Sequence, residues 1–268
     1  MTFEPGPALL FCPADRPERF HGALRKADAA ILDLEDAVLP DAKPTARGNL
    51  IDADVDPDRV IVRVNAPGTD AFAADLATLG QTDFRTVMVA KTESPESLDV
   101  FDERFSLVAL CETARGVHAA DRIAAHPRVV AMMWGAEDLV ASLGGTASRR
   151  ADGAYRDIAR YARARVLLEA GAHGKAAIDA VHVDIDDTDG LAREAEDAAA
   201  SGFRATACIH PSQVEVIREA YRPDAAALRW ARSVLAQAED ERGVFRFEGR
   251  MVDEPVLRHA RLLVARAR

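Results

Sequence analysis

Two acidic residues, Glu112 in LVALCETARGV and Asp138 in MMWGAEDLV, each stand where an apolar run ends and a helical stretch begins. In an α/β protein, side chains at the carboxyl ends of the strands leave the core and face a ligand. Carboxylate oxygens are the ligands that hard divalent cations prefer. Glu112 and Asp138 are therefore predicted to share one oxygen-rich cation site.

A basic residue, Arg63, stands near the end of the apolar run VIVRVNA. The two-residue period of a strand places Arg63 and Asn65 on one face and Val62 and Val64 on the other. A guanidinium is costly to bury without an anionic partner. Two interpretations remain open: an ion pair with an acid of a neighbouring strand, or a clamp for an anion or oxyanion of a substrate.

Further charged residues follow two other apolar runs. Asp33, Glu35 and Asp36 end ILDLEDAV, and Lys91 follows VMVA. These acids would either orient metal-bound waters, which we favour for Glu35 and Asp36, or cap the next helix and pair with Lys43 and Arg47. Lys91 would be an ion-pair partner of these carboxylates, an interpretation we favour over a Schiff base with a carbonyl substrate.

Two more segments are candidates for binding an anion. His210 and Pro211, in IHPSQ, end the last apolar run beside a helix start, where the helix dipole favours an anion. The alternative is a histidine fixed in the rim of the fold. Arg16 follows the first run and would contact a phosphate, or pair with Asp15 or Glu18.

Short apolar runs of strand character alternate with amphipathic helical stretches along most of the chain. There are eight such runs, at 8–14, 29–38, 60–66, 86–92, 106–113, 129–136, 177–185 and 204–211. Eight strand–helix units without a long polar linker are typical of an α/β protein of the (β/α)8 TIM-barrel type. An open doubly wound sheet is the competing fold.

The pattern becomes helical beyond Pro211. We expect the barrel to span residues 1–222, and residues 223–268 to form a C-terminal helical extension rather than an independent domain. This extension contains the segment FRFEGRMVDEP, predicted as an irregular loop, and would cap the barrel of the same or a neighbouring subunit.

Composition restricts the function classes. The formal net charge of −10 disfavours nucleic acid and anionic membranes as partners. No apolar run has the length of a membrane span, and the first twenty residues lack the pattern of a secretory signal, so a cytoplasmic location is predicted. The three cysteines, Cys12, Cys111 and Cys208, lie in predicted strands and are expected to be reduced and buried.

Eight motifs in this order resemble one known family. They are CPADRPERF, AAILDLEDAV, VRVN, VMVAKTES, LVALCETARGV, MMWGAEDL, GFRATACIHPSQ and GRMVDEP, and they extend from about residue 9 to 258. The chain resembles the citrate lyase β-subunit-like branch of the HpcH/HpaI aldolase superfamily. This resemblance implies a TIM-type barrel, a trimer or hexamer, and Mg²⁺-dependent making or breaking of a carbon–carbon bond between a keto acid and the acetyl unit of a thioester.

The resemblance also implies roles for single residues. Glu112 and Asp138 match the two Mg²⁺ ligands, and Glu112 would contact the substrate as well. Arg63 matches the arginine that contacts the substrate carbonyl or carboxylate. Asp253, in MVDEP, matches a catalytic acid/base that the adjacent subunit delivers.

The edge of the pocket is implied in the same way. Arg16, His210 and Pro211 resemble the part that binds coenzyme A. The chain departs from the family pattern at Ala90 and Ala14, where family members often have proline and glycine, respectively.

The expected activity is Mg²⁺-dependent cleavage of a 3-hydroxyacyl-CoA thioester, of the citramalyl-CoA or malyl-CoA type, to acetyl-CoA and a 2-keto acid. One alternative is the β subunit of citrate lyase, which acts on citryl groups carried by an acyl carrier protein. A second is an aldolase acting on free acids. A third, of another class, is a non-catalytic CoA-binding or scaffolding protein on the same barrel.

Overall fold

Eight parallel strands close into a barrel in sequential order, and the eighth pairs with the first. The computed structural model describes residues 3–241 and 243–267. The closed ring of eight parallel strands confirms the predicted TIM-type fold. The strands are β1 (Ala8–Pro13), β2 (Ala29–Asp33), β3 (Val60–Val64), β4 (Thr86–Val89), β5 (Ser106–Cys111), β6 (Val129–Trp134), β7 (Ala176–Asp179) and β8 (Ala205–Cys208).

The interior of the barrel is filled by alternate side chains of the strands. Val108 and Leu110 belong to this inner set, as the two-residue period predicts for the strand that precedes Glu112. The inner cluster comprises Leu9, Ala29, Ile31, Ile61, Met88, Val108, Leu110, Ala131, Met133, Ile178, Ala205 and Ala207. Cys12, Cys111 and Cys208 are free and buried, as predicted.

Helices connect most of the strands. They are α1 (Phe20–Lys26), α2 (Lys43–Ile51), α3 (Asp70–Leu79), α4 (Ala114–His118), α5 (Ala120–Ala124), α6 (Ala136–Ser142), α7 (Asp157–Ala172), α8 (Thr188–Ser201) and α9 (Gln213–Tyr221). In the part of the chain that the structure describes, no helix combines the length and apolar character needed to cross a bilayer.

One crossover differs from the expected strand–helix unit. Residues 90–105 connect β4 to β5, all of them are described, and their one helical segment is the 3₁₀ helix Pro95–Leu98. The rest of the crossover buries Phe101 and Phe105, which pack edge-on in a row with Phe72 of α3. This segment thus covers the barrel with aromatic rings, where the other crossovers use an α-helix.

The described residues divide into two compact units, one ending at Ile217 and the other beginning at Arg218. The division falls inside α9, whereas the segments predicted from the sequence meet between residues 222 and 223. That the second unit caps a barrel remains a prediction.

The second unit contains a β-hairpin between two helices. Its elements are α10 (Ala225–Asp240), β9 (Phe245–Phe247), β10 (Arg250–Val252) and α11 (Glu254–Arg266). The expectation of an irregular loop at FRFEGRMVDEP was therefore wrong. Glu248 and Gly249 both have positive φ, at 46° and 82°, and they form the two-residue connection that suits the twist of a hairpin. Phe245 and Val252 pack into a small core with α10 and α11.

Candidate active site

The two predicted metal ligands line one cavity at the carboxyl ends of the barrel strands. Glu112 directly follows β5, and Asp138 lies in the first turn of α6, after β6. The cavity has a volume of about 180 Å³. Its other lining residues are Phe11, Asp33, Ala37, Arg63, Leu110, Met133, Trp134, Gly135, Ala136, Glu137, Ala180, Val181 and Ile209. This is the face on which TIM-barrel enzymes carry their active sites.

Gly135 makes room for the carboxylate of Glu112. A Cβ atom at this position would lie 2.7 Å from Oε2 of Glu112 and 3.0 Å from its Cβ. Any residue with a side chain at position 135 would therefore displace the Glu112 carboxylate. Gly135 is part of the motif MMWGAEDL, but its contact with Glu112 is not visible in the sequence.

The carboxyl group of Glu112 is strongly affected by its surroundings. It is 3% exposed, and burial, reinforced by the negative charge of Asp138, raises its pKa to about 8. The positive charges of Arg63 and Lys91 act in the opposite direction. A divalent cation on the oxygens of Glu112 and Asp138 would offset both the burial and the repulsion. The donor set thus fits Mg²⁺.

Arg63 lines the cavity and forms an ion pair with Asp33 of the neighbouring strand β2. Its Nε and Nη2 donate to the two carboxylate oxygens of Asp33 at 2.7 and 2.6 Å, and its Nη1 lies 3.0 Å from Glu35. Burial alone would lower the pKa of Arg63, but Asp33 and Glu35 raise it above its ordinary value. A guanidinium has five N–H donors, so these contacts do not exhaust it. The structure shows the ion pair, and a contact with a substrate remains a prediction.

Lys91 contacts both predicted metal ligands. Its backbone N–H donates to Oε1 of Glu112 at 3.1 Å, and its ammonium lies 3.3 Å from Asp138. The ammonium also contacts Glu35, and Asp36 at 3.0 Å. Burial lowers the pKa of Lys91, but the carboxylates outweigh it and the pKa is raised. Lys91 has a φ of 49°, which is unusual for a residue with a side chain.

The pKa values of Glu35 and Asp36 are shifted in opposite directions, although both carboxylates contact this ammonium. Burial raises the pKa of Glu35, which is 4% exposed, against the charges of Arg63 and Lys91. Burial acts on Asp36 too, but the hydrogen bond and charge of Lys91 lower the pKa of Asp36 below its ordinary value. The two carboxylates do not pair with Lys43 or Arg47. Lys43 donates to Asn65 and to the backbone carbonyls of Leu34 and Glu35, and Arg47 pairs with Asp75.

Asp33, which the sequence places with Glu35 and Asp36 at the barrel mouth, organises this region. Besides holding Arg63, its carboxylate accepts hydrogen bonds from the backbone N–H groups of Glu35, at 2.9 Å, and Ala37, at 3.1 Å. It is fully buried. Its position two residues before Glu35 in LDLED was a signal in the sequence, because alternate strand residues share a face.

Three other predicted residues of the barrel unit, Arg16, His210 and Pro211, do not line the cavity. Arg16 is 57% exposed, with Asp15 as its contact at 3.9 Å. His210 and Pro211 are exposed beyond β8, and Nδ1 of His210 is 2.8 Å from the hydroxyl of Ser212. Asp253 belongs to the second unit, where its carboxylate accepts from the backbone N–H of Val256 and caps α11.

Comparison with known proteins agrees with this architecture. The family model "HpcH/HpaI aldolase/citrate lyase" matches residues 8–211. A citrate lyase subunit beta-like protein of Mycobacterium tuberculosis is 56% identical over 98% of this chain and 96% of its own length. The mitochondrial citramalyl-CoA lyase of Rattus norvegicus is 32% identical over 99% of this chain and 87% of its own.

A solved structure is similar over nearly the whole chain. The crystal structure of CitE from Mycobacterium tuberculosis, in complex with magnesium, acetoacetate and coenzyme A, has a TM-score of 0.91 and 56% sequence identity, and the match covers 98% of each chain. The matched family model spans most of the barrel, and these relatives span the second unit as well. The chain belongs to the HpcH/HpaI aldolase/citrate lyase family.

Proposed function

We propose that this chain is a Mg²⁺-dependent carbon–carbon lyase that cleaves a 3-hydroxyacyl-CoA thioester, of the citramalyl-CoA or malyl-CoA type, to acetyl-CoA and a 2-keto acid. The observation that carries this proposal is the arrangement of Glu112, Asp138 and Arg63 around one cavity. Relatives that act on such thioesters or were crystallised with magnesium and coenzyme A support it.

Glu112 and Asp138 would hold the cation in this proposal. Bound Mg²⁺ would supply Lewis acidity, which stabilises negative charge on the hydroxyl oxygen of the substrate once a base has taken its proton and the carbon–carbon bond breaks to leave a ketone. Lys91, through its amide and its ammonium, holds both ligands in place. Glu35 and Asp36 anchor that ammonium and would orient bound water.

Arg63 would bind the keto-acid part of the substrate. Asp33 and Glu35 hold the guanidinium in one orientation at the edge of the cavity. A donor that is already oriented loses little free energy when charge develops on a substrate oxygen. Removing one donor of this kind typically lowers kcat by about a hundredfold or more.

Asp253 is proposed as the acid/base that protonates the acetyl-CoA enolate, delivered from a neighbouring subunit of a trimer or hexamer. Arg16, His210 and Pro211 are exposed at the carboxyl ends of β1 and β8, where they would contact the coenzyme A moiety. We propose a cytoplasmic enzyme with an acyl-CoA thioester and a small keto acid as its ligands.

The test is incubation of the isolated chain with Mg²⁺ and a panel of hydroxyacyl-CoA compounds, following acetyl-CoA release by wild type and Glu112→Gln. We expect turnover of at least one thioester by wild type, and a loss of about a hundredfold or more in the variant. Equal turnover by the two proteins would remove Glu112 from the mechanism.

Three other outcomes would refute the proposal. Turnover only with citryl groups on an acyl carrier protein would favour a citrate lyase subunit. Equal turnover of free acids and thioesters would favour an aldolase. A melting temperature raised by Mg²⁺ and acetyl-CoA without any turnover would favour a binding protein, since specific ligands stabilise the folded state by mass action.

A further inference from the structure

The side chain of Gln213 connects the segments that follow β7 and β8. Its Oε1 accepts hydrogen bonds from the backbone N–H groups of Ile209, at 3.0 Å, and His210, at 3.2 Å. Its Nε2 donates to the carbonyl of His182 at 2.9 Å. Gln213 has no exposed surface. Leaving a buried amide without hydrogen-bond partners costs free energy of folding. The three bonds therefore resist any movement of the two segments away from each other.

This link lies where the barrel ladder is shortest. Among the described strands, β7 and β8 share two residue pairs, Ile178 with Ala205 and Asp179 with Thr206. Every other neighbouring pair of barrel strands shares between three and five. The amide of Gln213 therefore replaces backbone pairing beyond Asp179 and Thr206.

The two connected segments supply one apolar wall of the candidate active site. Ala180 and Val181, before His182, and Ile209, beside His210, line the cavity that contains Glu112 and Asp138. Gln213 is not among the lining residues. Any effect of Gln213 on a bound molecule would therefore pass through the position of this wall.

We infer that Gln213 is a positioning residue for substrate binding: its three hydrogen bonds set the distance of the wall Ala180–Val181–Ile209 from the metal ligands. The acyl part of the thioester is the group that this wall would contact. The inference rests on the proposed function. It separates binding of the substrate from binding of the metal, because Gln213 contacts neither Glu112 nor Asp138 in the described hydrogen-bond network.

The first test replaces Gln213 with methionine, which keeps the length of the side chain and removes its hydrogen bonds. We expect the displaced wall to raise the KM for the hydroxyacyl thioester about tenfold, which corresponds to about 1.4 kcal/mol of substrate binding. We expect kcat to stay near wild type, because the variant loses substrate binding that is equal in the ground state and the transition state. The Mg²⁺ concentration for half-maximal activity should also stay near wild type, because Gln213 does not contact Glu112 or Asp138 in the described hydrogen-bond network. Gln81→Met is the control, since Gln81 is exposed beyond the end of α3 and donates to the carbonyl of Ala77 in that helix.

Gln213→Glu provides a second, isosteric test. A protonated carboxyl donates one bond and accepts others, so it can reproduce the three contacts, whereas a carboxylate cannot donate to the His182 carbonyl. Burial raises the pKa of a glutamic acid. We therefore expect the KM of Gln213→Glu, divided by that of wild type, to be near one at low pH and to rise with pH. The other side chains are the same in the two proteins, so the ratio isolates the effect of the introduced carboxyl.

A folded Gln213→Met protein with wild-type KM would overturn the inference, as would a KM ratio for Gln213→Glu that stays near one at a pH where the introduced carboxyl is ionised. Circular dichroism and melting temperature report folding. If the methionine variant does not fold, the glutamate variant decides. Wild type that turns over no thioester would refute the proposed function, whereas active wild type with unchanged variants would refute only the role of Gln213.

Discussion

The backbone N–H of Lys91 donates a 3.1 Å hydrogen bond to Oε1 of Glu112. This contact joins a residue that follows β4 to the acid that follows β5, and Lys91 makes it with a left-handed φ of 49°. The ammonium of the same residue lies 3.3 Å from Asp138. One lysine thus acts on both predicted metal ligands through two different groups, which substitutions can separate.

Lys91→Gly removes the ammonium and retains the backbone conformation, whereas Lys91→Val also disfavours the positive φ. A left-handed residue with a side chain costs about 1–2 kcal/mol, and a β-branched side chain makes it an outlier. We expect both variants to lose activity and the valine variant to bind Mg²⁺ more weakly than the glycine variant. Isothermal titration calorimetry measures the difference. Equal Mg²⁺ affinities would contradict the role of the amide.

Mg²⁺ binding should depend on pH through Glu112. Its pKa of about 8 in the metal-free protein means that the carboxyl holds a proton at neutral pH, and a protonated carboxyl must lose that proton before it binds the metal. We therefore expect the affinity for Mg²⁺ to increase as pH rises toward this value, with release of a proton. Calorimetry in buffers of different ionisation enthalpy measures the release.

The control for this prediction is Glu112→Gln, which should bind Mg²⁺ weakly and without the same pH dependence. Wild-type binding that releases no proton at neutral pH would show that Glu112 is already ionised, or that Glu112 is not a ligand.

Gly135→Ala should impair the site without adding or removing a charge. The new Cβ would approach Oε2 of Glu112 to 2.7 Å, so the carboxylate must move. We expect weaker Mg²⁺ binding and a loss of activity of about a hundredfold, as for other displaced catalytic groups. Gly48→Ala on α2 is the matched control, because no atom lies within 4 Å of its added Cβ. Wild-type kinetics in Gly135→Ala would show that Glu112 tolerates displacement.

Asp253 can be tested for action across subunits. Asp253→Asn keeps a side-chain cap for α11, since asparagine is an equally good N-cap, but removes the acid. We expect this variant and Glu112→Gln each to be nearly inactive. Co-expressed as mixed oligomers, they should recover activity well above either parent, because some sites then combine intact Glu112 with a neighbour's Asp253. Absence of recovery in verified mixed oligomers would argue against delivery from another subunit.

The parts of the fold predicted from the sequence are those that periodicity governs. The eight strands are short apolar runs, and alternation within β5 put Val108 and Leu110 inside the barrel. Glu112 and Asp138 were recognisable because they lie at or just beyond the ends of two of these runs. The same reasoning was wrong for Asn65, which was predicted to share a strand face with Arg63. The strand β3 ends at Val64, and the Asn65 side chain contacts Asp75 of α3.

Contacts that depend on tertiary structure left no periodic signal. The approach of Gly135 to Glu112 and the three hydrogen bonds of Gln213 join segments whose relative placement only the closed barrel defines. The hairpin at Glu248–Gly249 was missed for a different reason, because its strands are three residues long and carry little alternation. The crossover before β5, which has no α-helix, packs through buried aromatic rings rather than through the face of an amphipathic helix.

The brief pairing between β7 and β8 also has a consequence for how the molecule responds to heat. Local opening begins where the fewest backbone bonds must break, and this seam offers two residue pairs. Amide hydrogens along it should exchange with solvent earlier than those of β5 and β6, which share five pairs. Warming would then inactivate the protein while most of its secondary structure is still intact.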